Sequence, residues 1–249
     1  MLSFIIPAHN EERLIGQTLS ALRAAALAVN EPYEIVVAND ASSDATAAVA
    51  AAHGARVLSV AHRQIAGSRN SGAREATGDL LVFVDADTSV SEAVVRAALE
   101  AVRNGAVGGG AASRFDGHVP FYARVLVQLW VRLQRLGRLA TGCFLSCTRQ
   151  AFEAAGGFDE TLYACEDIVL SRRLKRMGTF VILRETVMTS GRNLRSHTGF
   201  DALRMLGGLA LQGPRFFRTR RGLHFWYGPR RHDSDSAGPS GPGSKTGAA

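Results

Sequence analysis

Four short stretches of the chain carry side chains whose types suit joint chemistry. His9-Asn10-Glu11-Glu12 follows an apolar run near the N-terminus, and Asn39-Asp40-Ala41-Ser42-Ser43-Asp44 follows a second. Asp85-Ala86-Asp87 follows a third, and Glu166-Asp167 opens a later polar stretch. Carboxylates that share one crevice repel unless something positive lies between them. A hard divalent cation, Mg2+ or Mn2+, is the economical answer, because it prefers oxygen ligands and bridges carboxylates to phosphate oxygens. Asp85 and Asp87 stand two apart at a strand end, so both side chains can point the same way. One can ligate metal while the other holds a hydroxyl or a metal-bound water. Alone, an Asp-x-Asp reads as a solvated turn. The apolar run Leu81-Val82-Phe83-Val84 before it, and the other acidic loops at matching edges, change that reading.

Bringing the loops together requires a parallel sheet. The runs 2–6, 33–38, 56–60, 80–84 and 106–112 predict strands. Helices are predicted over 11–29, with Asn10 as its cap and two acids in its first turn, from Asp44 to Gly54, and from Ser91 to Gly105. Continuous apolar strands separated by helices imply a doubly wound α/β sheet covered on both faces, with ligands at the carboxyl ends of its strands. Further on, 121–139 predicts a helix, 143–147 a short strand, 148–155 a short helix closed by Gly156-Gly157, 166–177 a helix ended by Gly178, and 179–183 a strand. No Pro/Gly/Ser linker divides the chain. Residues 1–231 therefore read as one domain, with a nucleotide-binding half (1–112) and an acceptor-binding half plus basic C-terminal region (113–231). Residues 232–249, rich in Ser, Gly and Pro, read as a disordered tail.

Composition bounds the options. The 249 residues are 46% hydrophobic and 20% charged, an ordinary globular balance that excludes wholesale disorder. No run approaches the roughly 18 apolar residues of a membrane span. Met1-Leu2-Ser3-Phe4 carries no basic start or cleavage site of a secretory signal, and three cysteines fit a reducing cytoplasm, so a cytoplasmic location is expected. The net charge of +7 is uneven: from Arg172 to Arg231 there are 14 basic residues against Glu185 and Asp201. Such a stretch either meets an anionic partner or is a set of solvated faces. No nucleic-acid motif accompanies it, so no nucleic-acid partner is expected.

Taken together, the motifs resemble family-2 glycosyltransferases of the GT-A fold. The resemblance rests on Ile5-Ile6-Pro7-Ala8-His9-Asn10-Glu11-Glu12, Glu34-Ile35-Val36-Val37-Ala38-Asn39-Asp40, Ala66-Gly67-Ser68-Arg69-Asn70-Ser71-Gly72, Asp79-Leu80-Leu81-Val82-Phe83-Val84-Asp85-Ala86-Asp87, and Gly156-Gly157-Phe158-Asp159-Glu160 with Glu166-Asp167. These stand in family order from about residue 2 to 178. The resemblance implies a Rossmann-like, mostly parallel sheet with a helical C-terminal region, and transfer of a sugar from a nucleotide-sugar donor with inversion. It places Pro7, His9 and Glu11 on the base and ribose, Asp40 on the base (commonly uracil), and Arg69 on the nucleotide. Asp85-Ala86-Asp87 matches the metal motif, with Asp87 the direct ligand and Asp85 beside it. Asp167 matches the catalytic base. Arg192, on the diphosphate, and His197, as a third metal ligand, are further candidates. His9 stands where the family has Tyr, and Asn39 where it has the first of two Asp.

The acceptor is read as a hydroxyl or a lipid-phosphate, on a small molecule or a lipid-linked one. Without the family's Gln-x-x-Arg-Trp motif, a single transfer per acceptor is expected. In the helix 121–139, Arg124, Gln128, Arg132, Arg135 and Arg138 occupy one face, and Leu126, Leu129, Trp130, Leu133 and Leu136 the other. Capping the core is the favoured reading of this helix; a peripheral contact with the inner membrane surface is the alternative. The segment from Arg215-Phe216-Phe217-Arg218 through Phe225-Trp226-Tyr227 is read in favour of a lipid surface. Two rivals stand: a catalytically inactive glycosyltransferase-like binding module, and a phosphatase of the haloacid dehalogenase type with Asp85 as nucleophile. The latter also needs a later Lys, and Lys175 is the only one before the tail.

Overall fold

The structure is a computed structural model that describes residues 1–117, 119, 121–140, 142–196, 204, 207, 213–220, 222, 223 and 227. Eight strands form one sheet in the order β3-β2-β1-β4-β7-β6-β8-β5. They are β1 (Leu2–Ala8), β2 (Tyr33–Asp40), β3 (Arg56–Val60), β4 (Leu80–Val84), β5 (Thr88–Ser89), β6 (Ala106–Phe115), β7 (Phe144–Thr148) and β8 (Thr179–Thr189). Strands β1 to β4 are mutually parallel, as are β6 and β8. β7 runs antiparallel between β4 and β6, and the short β5 antiparallel to β8. The expectation of a mostly parallel α/β sheet holds, with β7 and the short β5 as its antiparallel members.

The helices are α1 (Ile15–Val29), α2 (Thr46–Ala52), α3 (Ile65–Glu75), α4 (Glu92–Arg103), α5 (Phe121–Gly137), α6 (Arg149–Ala154), α7 (Glu166–Met177) and α8 (Arg192–Ser196), with a 3-10 turn at Gly213–Arg218. Two apolar cores flank the sheet. One packs Leu19, Leu22, Val94 and Val95 of α1 and α4 on Phe4, Ile6 and Val82. The other packs Phe152, Phe158, Leu170 and Leu174 on Ile5, Leu81 and Phe83. Alternate residues of β1 and β4 serve opposite cores, as the period of two requires.

Two local expectations are corrected. Asn10 does not cap α1, which begins at Ile15 with no acid in its first turn. Asn10 instead takes a left-handed backbone (φ 54°) and its Oδ1 accepts the Ser43 N–H at 2.8 Å, tying the first acidic loop to the second. The other correction is α3, which periodicity did not reveal. It is buried all round from Ala66 to Ala73, with Ser68, Arg69, Asn70, Ser71 and Gly72 at its centre and no large apolar stripe. It packs because it is small: a Cβ on Gly72 would lie 2.5 Å from Ile5 Cγ2. Likewise Gly110, in the Gly108-Gly109-Gly110 run, admits no side chain because Ala140 occupies the space.

Candidate active site

Parallel pairing sets the carboxyl ends of β1, β2 and β4 along one edge, with Ala8 opposite Asn39 and Ile5 opposite Phe83. The loops that leave this edge carry the acids. Strained backbone marks them: Asn10, Ala41, Arg63 and Cys165 all have φ between 50° and 64°. Such conformations cost L-residues about 1–2 kcal/mol and persist where surroundings over-determine them.

Two arginines organise the acids into two clusters. The first surrounds Arg69 of α3, which is 2% exposed. Its Nη1 donates to Glu166 Oε1 at 2.7 Å, and its Nη2 to Asp85 Oδ1 and to the Gly142 carbonyl, both at 2.8 Å. Phe158 lies beneath the guanidinium, its ring centroid 5.2 Å away. Asp167 stands beside Glu166 at the start of α7 and is buried. Its Oδ1 accepts the Ile168 N–H at 2.7 Å and its Oδ2 the Gly142 N–H. A Cβ on Gly142 would lie 3.5 Å from both Asp85 Oδ2 and Asp167 Oδ2. The two carboxylates therefore face each other across that glycine.

Burial pushes Asp85 up to about 6 against the pull of Arg69, and the neighbouring Asp87 adds to the rise. Burial also lifts Glu166 to about 7, with Asp167 beside it raising it further and Arg69 opposing. Asp167 is raised by burial, against Arg69 and the N–H groups of Ile168 and Gly142. A carboxylate held above its ordinary range is a stronger base than a free one, which suits proton removal near neutrality.

The second cluster surrounds Arg192, the first residue of α8. Its Nη2 donates to both Glu11 oxygens at 2.7 Å and to Asp87 Oδ2 at 2.9 Å. Asp87 Oδ1 also accepts Thr189 Oγ1 at 3.3 Å, and its carbonyl takes the Ser190 N–H at 3.2 Å. The Asp85-Ala86-Asp87 turn is thus pinned by the end of β8 and, through Asp85 N to Cys143 O at 3.4 Å, by the start of β7. Ala86 is buried, and its carbonyl accepts Thr18 Oγ1 at 2.9 Å.

The sequence candidates fall as follows. Asp85, Asp167 and Arg69 meet in the first cluster; Glu11, Asp87 and Arg192 meet in the second. Arg69, expected on the nucleotide, gives its two terminal nitrogens to Glu166, Asp85 and the Gly142 carbonyl inside the fold and so positions Asp85. Asp40 joins neither cluster. Its carboxylate accepts the N–H groups of Arg63 and Gln64 at 2.7 and 2.9 Å and Ser68 Oγ at 2.8 Å, closing the start of α3. With about four lone-pair directions available, one remains for a ligand N–H. His9 is exposed beside it, its Nδ1 2.6 Å from the Asp40 carbonyl. Pro7 is half-buried in β1. His197 and residues 232–249 lie outside the described residues. Gly142 and Thr189 were missed, because a backbone N–H and a strand-end hydroxyl leave no mark in residue type.

The residues fit a divalent ion through their donor chemistry. Asp85 and Asp87 offer oxygen only, and the space between Glu11 and Asp87 already accommodates a positive group, the Arg192 guanidinium. Among the described residues no three His, Cys, Asp or Glu side chains converge as a cage. An ion of the Mg2+ type needs no cage: one or two carboxylates suffice, with water and phosphate completing its shell. The cysteines do not compete for it. A hard ion prefers the carboxylate oxygens to thiol sulfur, and burial pushes Cys143 up to about 12 and also raises Cys147.

The described C-terminal aromatics pack against the loop before α7. Phe216 and Leu223 are buried with Ala164, and Phe217, Tyr163 and Tyr227 pack around them. Tyr163 N–H donates to the Phe217 carbonyl at 2.7 Å, and Arg220 lies over the rings of Tyr163 and Tyr227 at 5.3 and 5.0 Å. These described residues brace the loop before α7; Phe225 and Trp226, the rest of the segment read in favour of a lipid surface, lie outside the described residues.

The sequence profile of glycosyl transferase family 2 matches residues 3–152. A probable glycosyltransferase, YdaM of Bacillus subtilis, is 28% identical over 206 residues, covering 71% of this chain and 47% of that protein. The 4,4'-diaponeurosporenoate glycosyltransferase of Staphylococcus aureus is 36% identical over 94 residues, covering 35% of this chain and 24% of that protein. The chain thus spans less than half the length of these curated relatives. Among solved structures, the mannosyltransferase PcManGT of Pyrobaculum calidifontis, in complex with GDP-Man and Mn2+, superposes with a TM-score of 0.64 at 20% identity, over 91% of this chain and 68% of that one. TarS of S. aureus in complex with UDP-GlcNAc gives 0.59 at 17%, over 85% and 66%. The phosphatase alternative falls: the profile covers the Asp85 strand, and Lys175 reaches the Gly137 carbonyl from the last turn of α7, at the opposite end of that helix from the acids. The profile, spanning the acidic loops of β1, β2 and β4, shows that the chain belongs to glycosyl transferase family 2, on a sheet of the GT-A type.

Proposed function

We propose that the chain transfers a sugar from a nucleotide-sugar donor, a UDP-sugar by preference, to an acceptor hydroxyl or lipid-phosphate, with inversion and one transfer per acceptor. The observation that carries this reading is the facing of Asp85 and Asp167 across Gly142, with Asp87 in the same turn as Asp85. Asp85 and Asp87 would hold a Mg2+ or Mn2+ ion, which when bound offsets charge developing on the departing nucleoside diphosphate. Asp167 takes the proton of the attacking hydroxyl, while the new bond forms at the anomeric carbon opposite the breaking bond to the diphosphate oxygen. Arg69 keeps Asp85 aimed at the crevice. His9 and the remaining lone pair of Asp40 are the groups placed for the base, and a uracil N–H suits that carboxylate. The fold itself does not choose the base, since the TarS and PcManGT structures hold UDP-GlcNAc and GDP-Man. Arg192, already paired to Asp87, is the group placed to pass to the diphosphate.

A thermal-shift panel of nucleoside diphosphates with and without Mn2+, repeated on Asp87→Ala, tests the reading. One nucleotide stabilises the native chain only when metal is present, and Asp87→Ala abolishes that gain. Equal stabilisation without metal defeats it.

A further inference from the structure

The sequence favours α5 as a cap on the core, and the structure shows otherwise. Its apolar face points outward: Phe121 is 78% exposed, Leu129 51%, Leu133 49% and Leu136 85%, with Leu126 and Trp130 between them at 50% and 43%. The side turned inward is narrow, with Ala123 and Gln134 buried and Val127 and Val131 half-buried. At 100° per residue, the exposed apolar residues occupy about half the circumference, from Phe121 round to Trp130; Arg124 and Arg135 border that arc on the Phe121 side and Arg132 lies just inside the same edge. No helix among the described residues is long and apolar enough to cross a membrane. At 17 residues, α5 is about 25 Å long, and an apolar stripe edged by arginines suits lying in a bilayer surface.

We propose that α5 is a docking surface for an anionic lipid bilayer, its leucines and Trp130 entering the acyl boundary and its arginines meeting the headgroups. Charge complementarity selects this occupant. Between Asp116 and Glu153 there is no acidic residue, while Arg124, Arg132, Arg135, Arg138 and Arg149 lie there. A second copy of the helix, face to face in an antiparallel two-fold dimer, would bring arginine borders together, and in a parallel one each border would still meet a helix with no acid to pair it. The chain's own residues 197–212 include Phe200, Leu203, Met205, Leu206, Leu209 and Leu211, but Arg204 offsets their one acid, Asp201, and residues 228–249 contain no large apolar residue. Neither segment supplies both an apolar face and the net negative charge that the cationic edge calls for.

Position gives the docking a purpose. Asp116, just before the helix, accepts the Gly191 N–H at 2.7 Å, beside Arg192. After the helix, Ala140 N–H donates to Ser171 Oγ at 3.1 Å and Gly142 N–H to Asp167. Both flanks of α5 are therefore anchored in the site, and a docked helix holds the crevice at the lipid surface. This surface stands independently of the transfer chemistry.

The test is co-sedimentation of the full chain with vesicles of phosphatidylcholine containing about 30% phosphatidylglycerol, against pure phosphatidylcholine. Binding is expected to the anionic vesicles, with little to the neutral ones. Leu129→Glu/Leu133→Glu abolishes it, and each of Arg132→Ala and Arg135→Ala weakens it about five-fold. Because these positions are exposed, the variants keep the native Tm and any nucleotide-induced shift, so a failed transfer reading and a failed docking reading are told apart. Four outcomes overturn the proposal: no vesicle binding, equal binding to neutral vesicles, or binding unchanged in Leu129→Glu/Leu133→Glu. The last is a large Tm loss, or a lost dimer, in that variant without vesicles; it would assign the face to the chain itself or to a second copy.

Discussion

The two arginine-centred clusters use the same chemistry at different depths. Arg69 comes from a helix packed against β1, is sealed from water, and holds Asp85, Glu166 and Gly142 in one arrangement. Arg192 comes from the start of a five-residue helix late in the chain and is 19% exposed as a side chain. The inner cation is a fixed part of the scaffold. The outer one neutralises Glu11 and Asp87 from a short segment at the crevice, so ligand charge can replace it. Under the proposed function the site uses both kinds of cation: one holding the proposed base and its neighbours in place, the other exchangeable where donor charge would enter.

Replacing each arginine in turn is the strongest way to break that contrast. Arg69→Met leaves Asp85, Glu166 and Asp167 without their buried counter-charge, and removing one partner of a buried ionic group costs about 3–5 kcal/mol. Arg192→Met should cost less, on the order of 1–3 kcal/mol, because the guanidinium itself is partly exposed although Glu11 and Asp87 are mostly buried. Urea denaturation of both variants checks this, and equal losses would erase the distinction between scaffold and exchangeable cation.

Asp167→Asn sharpens the division of labour. The amide removes the base while leaving the Glu11–Arg192–Asp87 cluster intact. Transfer should fall by about 10²–10⁴-fold, the usual range for a general base. Nucleotide affinity, measured by calorimetry with Mn2+, should stay within a few-fold. A parallel loss of affinity would mean that the inner cluster also holds the donor.

The inner and outer clusters were not equally legible in the sequence. Asp85, Asp87 and Asp167 stand in motifs whose order is readable, and β1 to β4 announce themselves as apolar runs. Arg69 was visible as a residue but not as a hub, because α3 buries Ser, Asn and Gly where an amphipathic pattern would place Leu or Val. The pairing of Arg192 with Glu11, 181 positions apart, depends on how β8 returns to the edge, and no local pattern encodes that distance. The amphipathic pattern of α5 was read correctly, but a pattern fixes which residues share a face, not whether that face turns inward. Its outward orientation follows from tertiary placement.

The smallest expected effect is the pH response of the protein without metal or nucleotide, and it isolates the inner cluster. Glu166 is raised from 4.5 to about 7 and Asp85 from 3.8 to about 6, both chiefly by burial. For an acid whose folded value lies above its unfolded one, the native state binds the extra proton. The stability this gives is fully present below the unfolded value and is lost as pH rises through the folded value. Tm should therefore decline between about pH 5 and pH 8, with Arg69 limiting the drop because its charge favours the ionised acids. Glu34, Asp44 and Asp159 act in the opposite sense: hydrogen bonds hold them low, so they weaken the fold only as pH falls below their ordinary range, outside this window. Glu166→Gln should flatten the decline and Arg192→Met should leave it in place. A wild-type Tm that holds level or rises across this window would mean that the acids around Arg69 are already ionised at pH 5, leaving the inner cluster no drier than the outer.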